Sequence, residues 1–268
     1  MHIHPTTVLP LLASLTTATC TLDLLHSLTT SLVTAQTTGS KNTSSFFSPS
    51  TQFTQNRRSV PLTQHILSTP LLLNHTRSQH DLPQCATYTE SIVLNSTAPY
   101  VLATQMRIDN TTGLVAKVDS IVTTKGDWLF NVTGTYYWST RESWTVIPEA
   151  KRDTRAVIKA AADAYCNLFS DKSVVVPWGS PCARLEGGAY TGKGQAGDRC
   201  DVGVPSGVNL VNRQYVIDED FGTVDIMMDF GGTVGGQGGL PDSHEFRVEG
   251  GKLRYVHTLS SCGGRACM

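Results

Sequence analysis

The chain has 268 residues, with 21 lysines and arginines against 22 acids and a formal net charge of −1. That balance argues against a nucleic-acid binder, which needs a basic face to neutralise phosphates. Charged residues make up only 16 %, below the roughly 25 % of ordinary soluble domains, and the length suits one large or two ordinary domains.

The N-terminus reads MHIHPTTVLPLLASLTTATC. The stretch 8–15 is mainly apolar, and Thr16, Thr17 and Ala18 are small residues suited to cleavage. The front is weakly basic, since no Lys or Arg precedes Lys41. The expectation is a secretory signal over 1–18, and hence a secretory-pathway or extracellular protein; the other reading is a disordered tail. The apolar run is too short to span a bilayer, so no stable membrane span is expected.

Residues 21–36 place Leu25, Leu28 and Leu32 on one helical face, with Asp23 in the first turn. The Thr/Ser-rich stretch 37–60 reads as a loop. Strands are predicted at 85–94, 100–109, 114–123 and 127–138, and a linker at 139–153. A second helix is predicted over 154–169, with Val157, Ala161, Ala164, Tyr165 and Leu168 as its apolar stripe. A Pro/Gly-rich loop is then expected at 177–207, strands at 211–218 and 223–230, a Gly-rich turn at 231–239, and a terminal hairpin.

That hairpin has an echo. SHEFRVEGGKLRYVHTLS (243–260) aligns with ATQMRIDNTTGLVAKVDSIV (103–122) on Arg247 and Arg107, with Val248 on Ile108, Leu253 on Val115 and Val256 on Val118. A strand–turn–strand unit recurring about 140 residues later suggests two similar modules, 19–138 and 154–268. Each pairs a helix with antiparallel strands. This is an α+β layer architecture in which a helix on a curved sheet encloses a conical pocket.

Five N-x-S/T sequons occur, at Asn42, Asn74, Asn95, Asn110 and Asn131, all candidate glycosylation sites. Seven cysteines suit an oxidising compartment. Candidate pairings are Cys20 with Cys85, Cys182 with Cys200, and Cys262 with Cys267, although spacing alone does not decide connectivity. Cys166 is left over as a packed thiol at a helix edge. No His/Cys pattern has structural-zinc spacing, and no metal or other cofactor is expected.

Alternation puts His244, Phe246 and Val248 on one side of a strand, and Leu253, Tyr255, His257 and Leu259 on one side of the next. If both sides line one pocket, His244 and His257 form a candidate acid–base pair, because imidazole titrates near neutral pH. A lone histidine of either strand is as readily a satisfied core or surface residue. In WGSPCARLEGGAYTG (178–192), Arg184 and Glu186 share a face as an ion pair or a substrate clamp. Tyr190 is a candidate donor to a developing oxyanion. In the first module, NHTRSQHDLPQCATYTE (74–90) takes the equivalent place and offers His75, Arg77, Asp81 and Glu90, as a second site or as loop anchors. Asp225 and Asp229 read as a solvated face and Asp242 as a turn former. The glycine stretches lack the strand-to-helix context of a nucleotide loop.

The element order and the stretches CATYTE, PYVLATQMR, GDWLF, PWGSPCARLEGGAYTG, NRQYVIDE and PDSHEFRVEGGKLRYVHT resemble a group of secreted-type fungal proteins. These have paired NTF2-like, or ketosteroid-isomerase-like, modules. The resemblance covers most of residues 75–260. It implies a cofactor-independent isomerase or cyclase of polyketide secondary metabolism, similar to the proteins that dimerise maleic-anhydride monomers in maleidride clusters. The implied partners are a small polyketide-derived substrate and other proteins of such a cluster. His244, His257 and Tyr190 would be catalytic, and Arg184 and Glu186 would bind substrate. A non-catalytic secreted small-molecule-binding or host-interaction protein fits the sequons and cysteines equally well.

Overall fold

The computed structural model describes residues 20–39, 45–234, 238–263 and 267. The N-terminal half opens with helix α1 (Leu22–Thr38), whose Thr21 side chain accepts a hydrogen bond from the Leu24 amide. Leu25, Leu28 and Leu32 point inward, as their spacing predicts. Six strands follow: β1 (Phe47–Gln55), β2 (Arg58–Ser59), β3 (His75–Asp81), β4 (Ala86–Val93), β5 (Tyr100–Ile108) and β6 (Val115–Thr123). A short helix α2 (Val132–Ser139) and a connection lead to α3 (Arg155–Leu168). Then come β7 (Trp178–Glu186), β8 (Ala189–Tyr190), β9 (Leu210–Asp218), β10 (Thr223–Phe230), β11 (Leu240–Glu249) and β12 (Lys252–Ser260).

The strands form two six-stranded sheets, ordered β2-β1-β6-β5-β4-β3 and β8-β7-β12-β11-β10-β9. The second order is the first shifted by six strands. In each sheet one strand pairs parallel, β1 with β6 and β7 with β12, and the rest run antiparallel. The sequence echo reaches the level of register. The β5–β6 ladder slips between Arg107 and Ile108, and the β11–β12 ladder slips between Arg247 and Val248. These are the aligned positions, so both hairpins carry the same irregularity.

Each sheet is covered by a helix on one face and by the other sheet on the opposite face. Under α3, Ile158, Ala162, Tyr165 and Phe169 pack on Val224, Ile226, Met228, Phe246, Val248 and Val256. Under α1, Leu25, Leu28 and Leu32 pack with Met106, Ile108, Val115 and Val118. A third cluster joins Tyr88, Ile92, Ala103 and Ile121 of the first sheet to Val216, Met227 and Leu259 of the second. The molecule is therefore an α+β stack of helix, sheet, sheet and helix, so both faces of the inner strands are buried.

That burial accounts for the places where the sequence pattern misleads. Asp225 and Asp229 are buried between the sheets, not solvated, and Asp242 is fully buried inside β11 rather than in a turn. The stretch 37–60 contains β1, an edge-side strand that buries little besides Phe47 and Phe53 and so shows no strong alternation. The stretch 177–207 contains β7 and β8. Residues 127–138 are not a strand: Asn131 caps α2 by accepting from the Gly134 amide, and Val132 and Tyr136 lie one turn apart against the inter-sheet core. In α3 the buried stripe is Ile158, Ala161, Ala162, Tyr165 and Cys166, while Val157 is exposed. Sheet order makes β3 the counterpart of β9 and β1 the counterpart of β7, so 74–90 does not match 178–192.

Three disulfides join Cys20 to Cys85, Cys182 to Cys200 and Cys262 to Cys267, and Cys166 is a buried free thiol. Among the described residues no helix is long and apolar enough to cross a membrane. Asn74, Asn95, Asn110 and Asn131 are exposed, while Asn42 and the stretch 1–18 lie outside the described residues.

Candidate functional site

Antiparallel pairing keeps opposed residues on one face. His244 opposes Thr258, and Glu245 opposes His257. His244 therefore faces α3 while His257 faces the first sheet, and the two histidines form no common pair. Each sits in a separate buried polar cluster with some of the other candidates.

The first cluster lies under α3. Asp242 and His244 come from β11, Thr258 and Ser260 from β12, and Arg184 and Glu186 from β7, which pairs with β12 through Val256–Arg184 and Thr258–Glu186. His244 Nδ1 lies 3.0 Å from Asp242 Oδ2, and Asp242 Oδ1 accepts from Ser260 Oγ at 2.8 Å. Burial pulls the imidazole pKa down, but Asp242, Glu186 and Asp225 outweigh it and hold His244 above its ordinary value. Arg184 Nε stands 3.3 Å from Glu186 Oε1, and its Nη1 donates to the Tyr165 hydroxyl at 3.4 Å. Its Nη2 donates to the Val202 carbonyl at 2.5 Å. Val202 belongs to the loop 191–209, which roofs the cluster and is fastened by Cys182–Cys200.

Five buried polar atoms on this concave face lack an aligned hydrogen bond: Arg184 Nε, Glu186 Oε1, Asp242 Oδ2, His244 Nδ1 and Thr258 Oγ1. Leaving such an atom unpaired costs about 1–3 kcal/mol. Among the described residues nothing hydrogen-bonds to His244 Nε2. The arrangement can donate a proton from the imidazolium, accept one at a carboxylate and hold an anion beside Arg184.

The second cluster lies between the sheets. His257 Nδ1 contacts Glu90 Oε2 at 3.1 Å and its Nε2 contacts Glu142 Oε2 at 2.5 Å. Burial lowers its pKa, but the two carboxylates outweigh this and raise it to about 10. Tyr190 donates to Glu142 Oε1 at 3.0 Å and stacks on Trp138 at 3.7 Å. Its own pKa is pushed upward by burial and by Glu142. Arg77 forks onto Glu245, with Nη2 2.6 Å from Oε2 and Nε 3.2 Å from Oε1; Nη2 also lies 3.2 Å from Glu90 Oε1. The guanidinium covers the Trp144 ring at 3.9 Å. Burial would raise the Glu90 carboxyl, but Arg77 and His257 hold it well below the carboxylate range. Glu245 is raised by burial, against the pull of Arg77.

Glu90, Glu245 and His257 offer atoms within 4.8 Å of one another, a spacing compatible with a metal ion. Arg77 already places its charge against both carboxylates, so this cluster is an ion-paired clamp between the sheets. His75 is at its edge, 3.8 Å from Glu90. Asp81 is elsewhere, in a bidentate pair with Arg155 at 2.7 Å.

Sequence reasoning missed Asp242 as a partner of His244, and Glu142, which links His257 to Tyr190. Asp242 lies two residues before His244, so the period of a strand already puts them on one face. Glu142 sits in the connection, where no periodicity marks it.

The fold and the cluster under α3 define a two-sheet α+β protein with a buried polar cluster beneath the helix of its C-terminal half. Residues 151–260, which contain α3 and the whole second sheet, match a family model described as a domain of unknown function, DUF8021. No curated protein matches the chain.

Proposed function

We propose that the chain is a cofactor-independent acid–base enzyme of the isomerase or cyclase type, with its centre under α3. In this reading the two halves are NTF2-like modules of a secreted protein, and only the second is catalytic. The observation that supports it is the convergence of His244, Asp242, Thr258, Arg184 and Glu186 from β11, β12 and β7 beneath α3, as two buried ion pairs without aligned hydrogen bonds and an unbonded hydroxyl. Such groups are retained where a ligand completes them.

The roles follow from charge. His244, held protonated by Asp242, donates from Nε2 to a substrate carbonyl oxygen. Glu186 Oε1 takes a proton from the alkyl carbon conjugated to that carbonyl through the alkene, and the electron pair moves through the alkene onto that oxygen. In isomerisation Glu186 returns the proton to a conjugated carbon. In dimerisation the carbanion adds to the alkene of a second monomer, and the resulting carbanion takes the proton back. No atom is lost in either course. Arg184 pairs with the substrate carboxylate or anhydride oxygens. His257 and Tyr190 leave the catalytic set, because they face the first sheet.

The substrate class suggested by the resemblance is an alkylated maleic anhydride of polyketide origin. Incubation of the purified protein with such a monomer in deuterium oxide tests the proposal. Enzyme-dependent deuterium at the alkyl carbon attached to the ring alkene is expected, reduced by roughly a hundredfold or more in His244→Gln. Binding of the monomer with no exchange would support the non-catalytic binding protein instead.

A further inference from the structure

Between the two sheets lies a cleft of about 1070 Å³ that the proposed reaction does not use. It is lined from the first sheet by the β1–β2 turn and Lys117, and from the second by Asn212, Gln214, Asp229 and Pro241. That volume matches the upper range of small-molecule sites.

The β1–β2 turn is built at a cost. Asn56 and Arg57, its two central residues, both have positive φ, 49° and 63°. Such two-residue turns favour Asn-Gly, and an arginine at the second position is strained. The strain is offset by contacts across the cleft. Arg57 Nε pairs with Asp229 Oδ1 at 2.9 Å, and Nη2 donates to the Asn212 carbonyl at 3.2 Å. Asn56 donates to Val122 O and to Ser261 Oγ, and accepts from the Val122 amide at 2.7 Å. The turn is thus tied to both walls of the cleft.

Charge bookkeeping decides the ligand. Both carboxylates in the cleft are taken: Asp229 by Arg57 and Asn212, and Asp119 by Thr54 and Lys117. The cation left over is Arg58, exposed on the same wall and without an ion-pair partner among the described residues. Lys117, already paired with Asp119 at 2.8 Å, is partly exposed and has ammonium hydrogens left to donate. We infer that this inter-sheet cleft is a second binding site, for a small organic anion carrying a carboxylate or phosphate group. Arg58 would hold the charge, and the Lys117 ammonium with the amides and hydroxyls of the walls would donate hydrogen bonds to the remaining polar groups.

Titration of the full chain with citrate and with inorganic phosphate at low ionic strength, read by calorimetry, tests this. At least one anion should bind, more weakly as salt rises. Arg58→Gln should weaken it by about fivefold or more while keeping the wild-type melting temperature, since the residue is exposed. Lys117→Gln should weaken it independently, and His244→Gln should leave it unchanged. Binding of neither anion, or equal binding in both cleft variants, overturns the inference. Loss in His244→Gln alone would place the anion under α3 and overturn it as well.

Discussion

His244 and Glu245 are chain neighbours that serve opposite faces of one sheet: His244 joins Asp242 beneath α3, and Glu245 joins Arg77 of the first sheet. A single strand thus supplies both the proposed reaction centre and the clamp that holds the two halves together. Substitutions one residue apart should therefore separate chemistry from assembly. Glu245→Gln leaves Arg77 deeply buried with half of its pairing, at a cost of about 3 kcal/mol. His244→Gln leaves the inter-sheet contacts intact. Urea unfolding should show a loss for both, since His244→Gln strips the buried Asp242 of its partner, with deuterium exchange lost only in the second.

The clamp sets a pH dependence with two windows. His257 has a folded pKa of about 10 against an ordinary 6.5, so the folded state holds a proton that the unfolded state releases. Stability should fall as pH rises from about 6.5 to 10. Asp225 is raised by burial to about 8, partly opposed by hydrogen bonds from Ser243 and Gln105. It likewise costs stability as pH rises, from about 4 to 8. Melting temperature measured across pH should show both slopes. His257→Gln should flatten the window above pH 8, and Asp225→Asn should flatten the one below it.

Among the described residues, Glu142 alone joins His257, Tyr190 and Trp144, at 2.5, 3.0 and 3.0 Å. It belongs to the connection between the halves, so it pins that connection to the second sheet. Glu142→Gln removes the countercharge of a buried imidazolium and should cost about 2–4 kcal/mol. The folded pKa of His257 should drop with it. Proton-detected NMR titration of the imidazole checks this: an unchanged midpoint would remove Glu142 from the clamp.

How far the sequence could be read depended on what each strand buries. The β5–β6 and β11–β12 hairpins were legible because Arg107 and Arg247 align and both strands alternate, while their shared register slip emerged only in the ladders. The helices were legible from leucine spacing in α1 and from the apolar stripe of α3, though the stripe is centred on Ile158 rather than Val157. Strands β1 and β7 were not legible. β1 buries only two of its large side chains, and β7 carries Gly179 and Pro181 where a strand signal would be expected. For the site, spacing put Arg184 and Glu186 on one face, and the pairing of β7 and β11 with β12 then brings them under α3 with His244. Assigning His257 and Tyr190 to the same pocket failed because alternation within a strand does not tell which face meets a partner sheet. That choice is fixed by the non-local pairing of Glu245 with His257 and of Leu185 with Tyr190.

The roof over the proposed reaction centre depends on Cys182–Cys200, which closes a loop across a separation of 18 residues. Cys200→Ser should lower stability by about 3 kcal/mol on the chain-entropy account. It should also loosen Val202, whose carbonyl holds Arg184. Limited proteolysis should then cut within 191–209 faster than in the wild type, with the rest of the chain unaffected.

The β7–β8 turn is where the second sheet meets α2, and two glycines make that approach possible. The Asn131 amide, at the start of α2, donates to the Gly187 carbonyl at 2.7 Å. A Cβ at Gly187 would lie 2.3 Å from the Trp128 carbonyl oxygen, and one at Gly188 would lie 2.2 Å from the Asn131 carbonyl oxygen. Both have positive φ, 59° and 124°. Since these clashes are with backbone, no side-chain rotation relieves them. Gly188→Ala should therefore push α2 away and cost about 2 kcal/mol or more. Displacement of α2 carries Trp138 off the Tyr190 ring, so the near-ultraviolet circular dichroism of that stacked pair should weaken below the unfolding temperature. An unchanged spectrum with lowered stability would confine the damage to the turn itself.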